Sequence, residues 1–460
     1  MFLEVDNLVI GRGPVGVITS IALLEKNFKV LNLDLGSDVE LSTKDFVLNS
    51  NINYKGISKP PSLIKDGNEN LWGGACMGWR FFEENFSPEN IMPGLPISLN
   101  GFSLASNKLK KILKINNFNF STSKPKYSAR IKKTYALEQI FAKIINDPYM
   151  SDLIKELNSN PGYQYRANIF IQKVFDYGTH LECVGEFTEN KQPLIIKCKR
   201  VFLAAGTISN TKLLIKSDLG LVNKNFLGKF LSDHLSSPIA LIDSKNLVEV
   251  EKYFGYRRST KGSKLWPRVK LNLEDKMLNL DSFCYVTEVN ADTRKGQRIL
   301  DFLSRFPIFF LFIRKGVKGS FQLNLFTEIS NSSKNEIVFD ESENLFKVHF
   351  QVERHDLKVI GEISRSYIKQ ISNAFSIKDW QISMLLEPEN LLQKLQTSSH
   401  PSGSYRMSAS PSNGVINSNS QLHYHPNIYV LGAGAFPRSG ATHPTFTAMI
   451  LALMAVGSIN

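Results

Sequence analysis

Short apolar runs separated by polar loops fill the chain, and the period of the runs changes as it proceeds. Val5-Asp-Asn-Leu-Val-Ile10 reads as a buried strand, followed at once by Gly11-Arg12-Gly13-Pro14-Val15-Gly16 and an apolar stretch to Leu24 at helical spacing. Phe28 to Leu33 reads as a second strand and ends in Asp34. Helical spacing is expected from Ser106 to Ile115 and from Tyr135 to Leu157, within a helical insertion spanning about residues 100–160. A hairpin over 168–187 turns at Asp176-Tyr-Gly178, and Arg200 to Thr207 is a further buried strand that ends in glycine and enters a helix. From residue 238 to about 398 the period falls to two, as in Val269–Leu273, Phe283–Glu288, Ser320–Thr327 and Leu345–Val352, the mark of half-buried antiparallel strands. Helices are expected among them near 298–306, 355–375 and 388–396. The strand Asn427–Leu431 and an apolar run from Phe446 to Val456 close the chain.

These periods predict an α/β fold: a doubly wound nucleotide-binding domain of Rossmann type over 1–237, an antiparallel-sheet substrate-binding domain over 238–398, and a return to the first domain over 399–460. The first βαβ unit has the setting that a dinucleotide needs. Gly11 makes the turn, Gly13 lets a pyrophosphate near the backbone, and Gly16 lets the helix pack on the sheet, while Pro14 and Val15 open the helix. Asp34 stands where a carboxylate accepts from ribose hydroxyls. This pattern does not separate FAD from NAD. Leu71-Trp72-Gly73-Gly74-Ala75-Cys76-Met77-Gly78 adds glycines beside small residues, which let a backbone lie against a flat ring.

Charge and cysteine content narrow the classes. The net charge of +13 comes from lysines spread thinly, with no aromatic–basic interleaving, so nucleic-acid binding is not expected. Four scattered cysteines without a CxxC pair argue against a zinc ribbon, a haem attachment site or a disulfide framework; no metal is expected, and a reducing compartment is. The N-terminus enters a strand without a secretory leader, and no apolar run approaches the ~20 residues of a membrane span, so a cytoplasmic protein is expected. Phe306-Pro-Ile-Phe-Phe-Leu-Phe-Ile313, flanked by basic residues, reads as core or lid; contact with a membrane surface is the less favoured reading.

The stretch Ser398 to Thr447 holds the candidate chemistry. His400 and His443 each precede a proline in Ser/Gly/Thr-rich surroundings, whereas His423 and His425 read as ordinary loop residues and His234 as structural. Gly432-Ala433-Gly434-Ala435 allows a ligand close to the backbone. Thr442 or His443 is the expected N-cap of the last helix, with Pro444 at its first position and Thr445 next, so His443 lies at the positive end of a helix dipole. Two histidines flanking a glycine-rich strand end and a helix start suggest a redox site.

These pieces, in this order, resemble the glucose–methanol–choline (GMC) family of FAD-dependent alcohol oxidoreductases, closest in motif to its pyranose- and polyol-oxidising members. His400-Pro-Ser-Gly-Ser-Tyr-Arg-Met407 is similar to the family's His-x-x-Gly-(Thr/Ser)-x-Arg-Met, and Gly414-Val-Ile-Asn417 to its Gly-Val-Val-Asp. Asn427–Pro437 and Ser439–Thr447 are similar to its strand, Phe-Pro and Asn-Pro-Thr elements; Leu203-Ala-Ala-Gly-Thr-Ile-Ser209 and Gly228–His234 resemble two further motifs. The resemblance implies FAD as cofactor and oxidation of a CH–OH group, with hydride transfer to flavin N5. It implies His400 as the base and His443 as the residue holding the substrate oxygen. It places Ile171 at the adenine, Gly432 and Ala433 at the pyrophosphate, Ala205 and Gly206 beside the cofactor, and the helix start at Pro444 and Thr445 near the flavin's anionic end. Where some members bind FAD covalently through a histidine, this chain has Gly78, so FAD is expected to be non-covalent; Cys76 replaces a serine and Gly432 an acid. A polar alcohol such as a sugar, polyol or glycoside is the expected substrate, and the electron acceptor is unknown. The alternatives are an apolar alcohol (sterol or long-chain) at a membrane surface, an NAD-dependent enzyme, and a flavin-binding module without turnover.

Overall fold

The computed structural model describes residues 1–35, 46–55, 75–76, 96–114, 137–144, 148–217, 219–220, 223–244, 254, 257–258, 264–271, 280–288, 319–374, 381–384, 388–441 and 443–459. Two large sheets organise them. The first contains β1 (Phe2–Ile10), β2 (Val30–Leu33), β6 (Tyr163–Arg166), β7 (Ile169–Asp176), β8 (Leu181–Phe187), β9 (Pro193–Leu203), β19 (Gln421–Leu422) and β20 (His425–Val430). Its parallel core runs β6-β2-β1-β9-β20, and the β7–β8 hairpin is carried antiparallel on β9. Register aligns Ile10 with Leu33 and Leu203, and Leu203 with Val430. The carboxyl ends of four strands therefore share one edge, and the residues that follow them (Gly11, Asp34, Ala204–Gly206 and Leu431–Gly432) meet there. In open parallel sheets that edge is where ligands bind.

Both faces of this sheet are covered, which is why its strands are apolar at successive positions. Leu8 and Val9 are both fully buried, on opposite faces. Val9, Val30, Phe202 and Tyr429 pack with the helices α1 (Pro14–Glu25), α2 (Leu99–Ile112), α3 (Pro148–Ser159) and α7 (Pro444–Gly457). Leu8, Leu31, Val201 and Ile428 pack on the other side, with Leu213 and Leu214 of α4 (Thr207–Ser217). Helices α1 and α7 pack against each other and are apolar all round, as central helices must be.

The second sheet is antiparallel, in the order β17-β10-β14-β13-β12-β5-β4. It is built from β4 (Ala75–Cys76), β5 (Leu137–Ile144), β10 (Leu235–Ser244), β12 (Lys264–Leu271), β13 (Ser282–Glu288), β14 (Gly319–Thr327) and β17 (Gln381–Met384), with β11 (Arg257–Arg258) on β12 and β18 (Gln396–Thr397) on β10. A small sheet joins β3 (Phe46–Ser50), β15 (Glu336–Asp340) and β16 (Leu345–Phe350). Helices α5 (Arg354–Ala374) and α6 (Pro388–Lys394) stand where the 3.6-residue period placed them. The expected helix near 298–306 and the Phe306–Ile313 run lie outside the described residues.

One expectation is corrected. Tyr135 to Leu157 is not one helix, and the insertion near 100–160 is not wholly helical: residues 137–144 form β5, and α3 begins only at Pro148. Leu137, Ile140, Phe141 and Ile144 have helical spacing, but eight consecutive backbone partners on β12, from Leu271 to Lys264, determine the outcome.

Candidate active site

Helices α1 and α7 begin alike. Each has proline at its start and an N-cap (Gly13, His443) that makes no side-chain capping bond. Free N–H groups at a helix N-terminus favour an anion. Around the first helix start, Gly11 has φ of +103° and Gly16 lies so close that a Cβ there would sit 2.1 Å from the Gly11 carbonyl oxygen. Buried Asn32 donates to that same carbonyl at 3.0 Å and accepts from the Tyr163 hydroxyl at 3.2 Å. The Asp34 carboxylate accepts from the Arg12 backbone N–H at 3.0 Å, so it stands beside the loop at the strand end. A Cβ at Gly13 would meet nothing within 4 Å, which leaves this side of the loop open. At the second helix start, the buried Thr447 hydroxyl has no protein partner. An anion-ready loop with a neighbouring carboxylate at one end, and a second uncapped helix with an unpartnered hydroxyl at the other, fit a dinucleotide such as FAD.

Between the sheets, three imidazoles come together. The His400 and His443 ring centroids are 5.2 Å apart, with their planes at 86°. His234, just before β10, places Nδ1 2.9 Å from His400 Nδ1. Phe326 of β14 packs against all three rings, at 4.9 Å from His234, 6.2 Å from His400 and 5.9 Å from His443. Phe283, its register partner on β13, stacks on it at 4.8 Å. Arg268 of β12 is buried over the Phe283 face, 4.3 Å from its centroid, and donates to His443 Nε2 at 3.0 Å. A guanidinium can only donate, so Nε2 of His443 accepts, and the neutral ring carries its proton on Nδ1.

The chain segments bearing these rings are fixed through their backbones. One oxygen of the fully buried Asp233 accepts from the N–H of His234 at 2.7 Å and of His400 at 2.9 Å. The loop leading to His443 is held by the second sheet: Glu328 accepts from Gly440 at 3.0 Å and Asp281 from Ala441 at 2.9 Å. Arg438 pairs with Glu328, and Lys270 with Asp281. Asn210 ties the strand ends together, donating to the carbonyls of Leu203 at 3.0 Å and Leu431 at 2.9 Å and accepting from the Ala205 N–H at 3.0 Å.

Burial first, then the neighbouring His234 and Arg268, push His400 well below its ordinary value; burial, Arg268 and His400 do the same to His443. Burial lowers His234 to about 4 and raises Asp233 to about 7. All three rings are therefore neutral at pH 7, and a neutral imidazole is what can accept a proton. The same shifts predict the pH dependence of stability. A histidine whose folded value lies below the unfolded ~6.5 is protonated first in the unfolded chain, so stability falls as pH drops below about 6.5. Asp233 works oppositely, because the folded chain holds its proton up to about 7, and it offsets His234. His400 and His443 then set the trend. The melting temperature is expected to fall as pH is lowered from 7 through roughly 6; a melting temperature that stays level or rises over that interval contradicts neutral burial of these rings.

Of the residues singled out in the sequence, the structure brings His400 and His443 together. It places Gly11, Gly13, Pro14, Val15, Gly16, Asp34, Ala205, Gly206, Gly432 and Ala433 around one sheet edge or the turns beside it. Gly206 and Gly432 have φ of +87° and +125°. Pro444 and Thr445 open α7. Ile171 pairs with Gly185 in the hairpin, beside a bulge. Cys76 lies in β4, while Gly73, Gly74 and Gly78 fall outside the described residues. His425 pairs with Asp176, away from the ring cluster. His234, read as structural, touches His400. Arg268, Phe283, Phe326, Asp281 and Glu328 were not anticipated. Their one signal is that all lie in or next to the alternating strands of the second sheet.

Residues 333–452 match the family model described as GMC oxidoreductase. No curated protein sequence matches the chain. Among solved structures, pyridoxine 4-oxidase from Mesorbium loti is similar at 14% identity and a TM-score of 0.57, over 98% of each chain. A mutant formate oxidase from Aspergillus oryzae, in a structure concerned with FAD modification, is similar at 12% identity and 0.57, over 99% of this chain and 98% of that one. No described helix is long and apolar enough to cross a membrane. The motif resemblance is thus borne out: residues 333–452 match the GMC oxidoreductase model, and the whole chain has the GMC oxidoreductase fold, a parallel Rossmann-like sheet joined to a separate antiparallel one.

Proposed function

We propose that the chain oxidises the CH–OH group of a polar alcohol, a sugar, polyol or glycoside, using non-covalently bound FAD. The observation that carries this reading is the pair of neutral imidazoles with centroids 5.2 Å apart, one of them fixed as a donor by Arg268. In this reading His400 takes the hydroxyl proton. His443, with Nε2 occupied by Arg268, offers its Nδ1–H to the same oxygen and stabilises the negative charge that develops as the proton leaves. Two contacts on one oxygen also orient the carbinol C–H, a proximity contribution. Phe326 and Phe283 form an apolar wall that limits water around the rings.

Bound FAD supplies the acceptor for the carbinol hydride. The residues that would hold it are Gly11, Gly13 and Gly16 with the α1 N-terminus for the pyrophosphate, Asp34 for the ribose, and the α7 N-terminus with Thr447 for the anionic end of the ring. Gly16→Ala pushes a Cβ into the Gly11 carbonyl and is expected to yield protein without flavin absorbance; flavin content equal to the parent's contradicts this cradle. Because Gly78 offers no side chain for attachment, acid precipitation should release all flavin. Flavin remaining with the pellet contradicts non-covalent binding.

The function is tested by mixing purified protein anaerobically with a panel of sugars, polyols and other alcohols while following the flavin band. Bleaching by at least one polar alcohol is expected. Bleaching only by sterols or long-chain alcohols, with partition onto liposomes, would move the assignment to apolar substrates. A flavin that no alcohol bleaches would point to a binding module, and colourless protein that takes up no FAD to an NAD enzyme. Support for a polar substrate includes the shared fold with an oxidase of pyridoxine, itself a polar alcohol.

A further inference from the structure

We infer that His234 is a positioning residue that fixes the tautomer of His400, leaving Nε2 of His400 as the nitrogen that accepts the substrate proton. The inference rests on the reading of His400 as the base. His234 Nε2 lies 3.3 Å from the carbonyl oxygen of Ser439. A carbonyl only accepts, so this nitrogen carries the ring proton. His234 is fully buried and neutral, so it has one such proton, and its Nδ1 is a lone pair. The 2.9 Å contact between the two Nδ1 atoms then has a single polarity, with His400 donating and His234 accepting. Neutral His400 is left with its lone pair on Nε2.

Asp233, His234 and His400 also bring possible ligand atoms within 4.8 Å of one another. A tetrahedral metal with bonds of about 2.05 Å would hold its nitrogen ligands roughly 3.3 Å apart. The observed 2.9 Å is a hydrogen-bond distance and favours the direct contact.

The Ser439 carbonyl that sets this chain of protons is itself held. The Ser232 and Ser439 hydroxyls are 3.1 Å apart, and the next residue, Gly440, donates to Glu328. The single Asp233 oxygen that takes the backbone N–H of both histidines fixes their spacing. When His400 becomes imidazolium, its Nδ1–H keeps the same acceptor, so the ring does not turn during the transfer. The proton does not pass on, because a protonated His234 would be a fully buried cation whose other nitrogen faces only a carbonyl. His234 thus takes the place that a carboxylate fills in a Ser-His-Asp triad, with a neutral acceptor in its stead.

The test uses the full chain labelled with 15N-histidine, with the two rings identified by loss of signal in variants. At pH 7 the imidazole nitrogen shifts and two-bond couplings should show His234 protonated on Nε2 and His400 on Nδ1. A His400 found as the Nε2–H tautomer, or as imidazolium, overturns the inference without reference to activity. A second arm compares two substitutions. His234→Leu removes the acceptor and should lower anaerobic flavin reduction about 10- to 100-fold at unchanged FAD content. His234→Asn places a carbonyl oxygen near the position of Nδ1 and should restore most of the rate. Equal losses in both variants, with an unaltered His400 spectrum, would overturn the role. If no alcohol reduces the parent's flavin, the proposed function fails, while the nitrogen spectrum still decides the tautomer.

Discussion

His400→Ala is expected to keep its FAD and to lose anaerobic flavin reduction by about 10²- to 10⁴-fold, the range of a positioned general base. The substitution removes the ring and little else. The backbone N–H of residue 400 stays bonded to Asp233, and none of the residues assigned to the dinucleotide depends on the imidazole for a hydrogen bond. Neither neighbouring imidazole offers a lone pair at the same place. The lone pair of His443 is occupied by Arg268, and the lone pair of His234 Nδ1 faces the place of the lost ring and lies behind it, a ring's width from the atom that accepted the proton. The loss should therefore appear in the reduction rate at saturating alcohol, measured by stopped-flow absorbance against FAD content. An unchanged rate removes His400 from the chemistry.

Glu328→Ala is expected to lower stability by about 3 kcal/mol, the magnitude for leaving two buried backbone donors without their acceptor. Glu328 is fully buried, pairs with Arg438, and accepts from the backbone N–H of Asp281 at 2.8 Å and of Gly440 at 3.0 Å. Alanine deprives two backbone donors and a guanidinium of their acceptor together. Glu328→Gln keeps one carbonyl oxygen and should cost less. Denaturant unfolding at equal FAD occupancy measures both, since bound cofactor adds stability of its own. The loop leading to His443 hangs on this carboxylate, so the alanine variant should also be slower in flavin reduction. A stability change below about 1 kcal/mol would mean that the buried network holds nothing in place.

Much of the half built on the parallel sheet was legible because its signals are local. Gly11 to Gly16 and Asp34 lie within one βαβ unit, and the φ of Gly11 is the reason that position is a glycine. His443 was legible as an N-cap because Pro444 marks the first turn of the helix. The rest depends on long-range pairing that no local pattern encodes. Residues 137–144 carry helical spacing and still join β12, because the free strand edge offered by the distant segment outweighs a weak intrinsic preference. Arg268 immediately precedes an alternating stretch and carries no local mark of its place. Only the pairing of β12, β13 and β14 stacks it on Phe283 and points it at His443. His234 sits in a fully buried segment where a histidine is usually structural, and its contact with His400 spans 166 positions of chain. Carboxylates such as the half-buried Asp281 and the buried Glu328 show their purpose only once the loop they grip is folded against them.

The most direct test of the central claim is a crystal structure of the FAD-loaded protein with an unreactive analogue of an alcohol that bleaches its flavin. The account predicts one analogue oxygen within about 2.6–3.2 Å of both Nε2 of His400 and Nδ1 of His443, with its carbinol carbon over the flavin ring. An oxygen bound to neither ring, or to His400 through Nδ1, would contradict it.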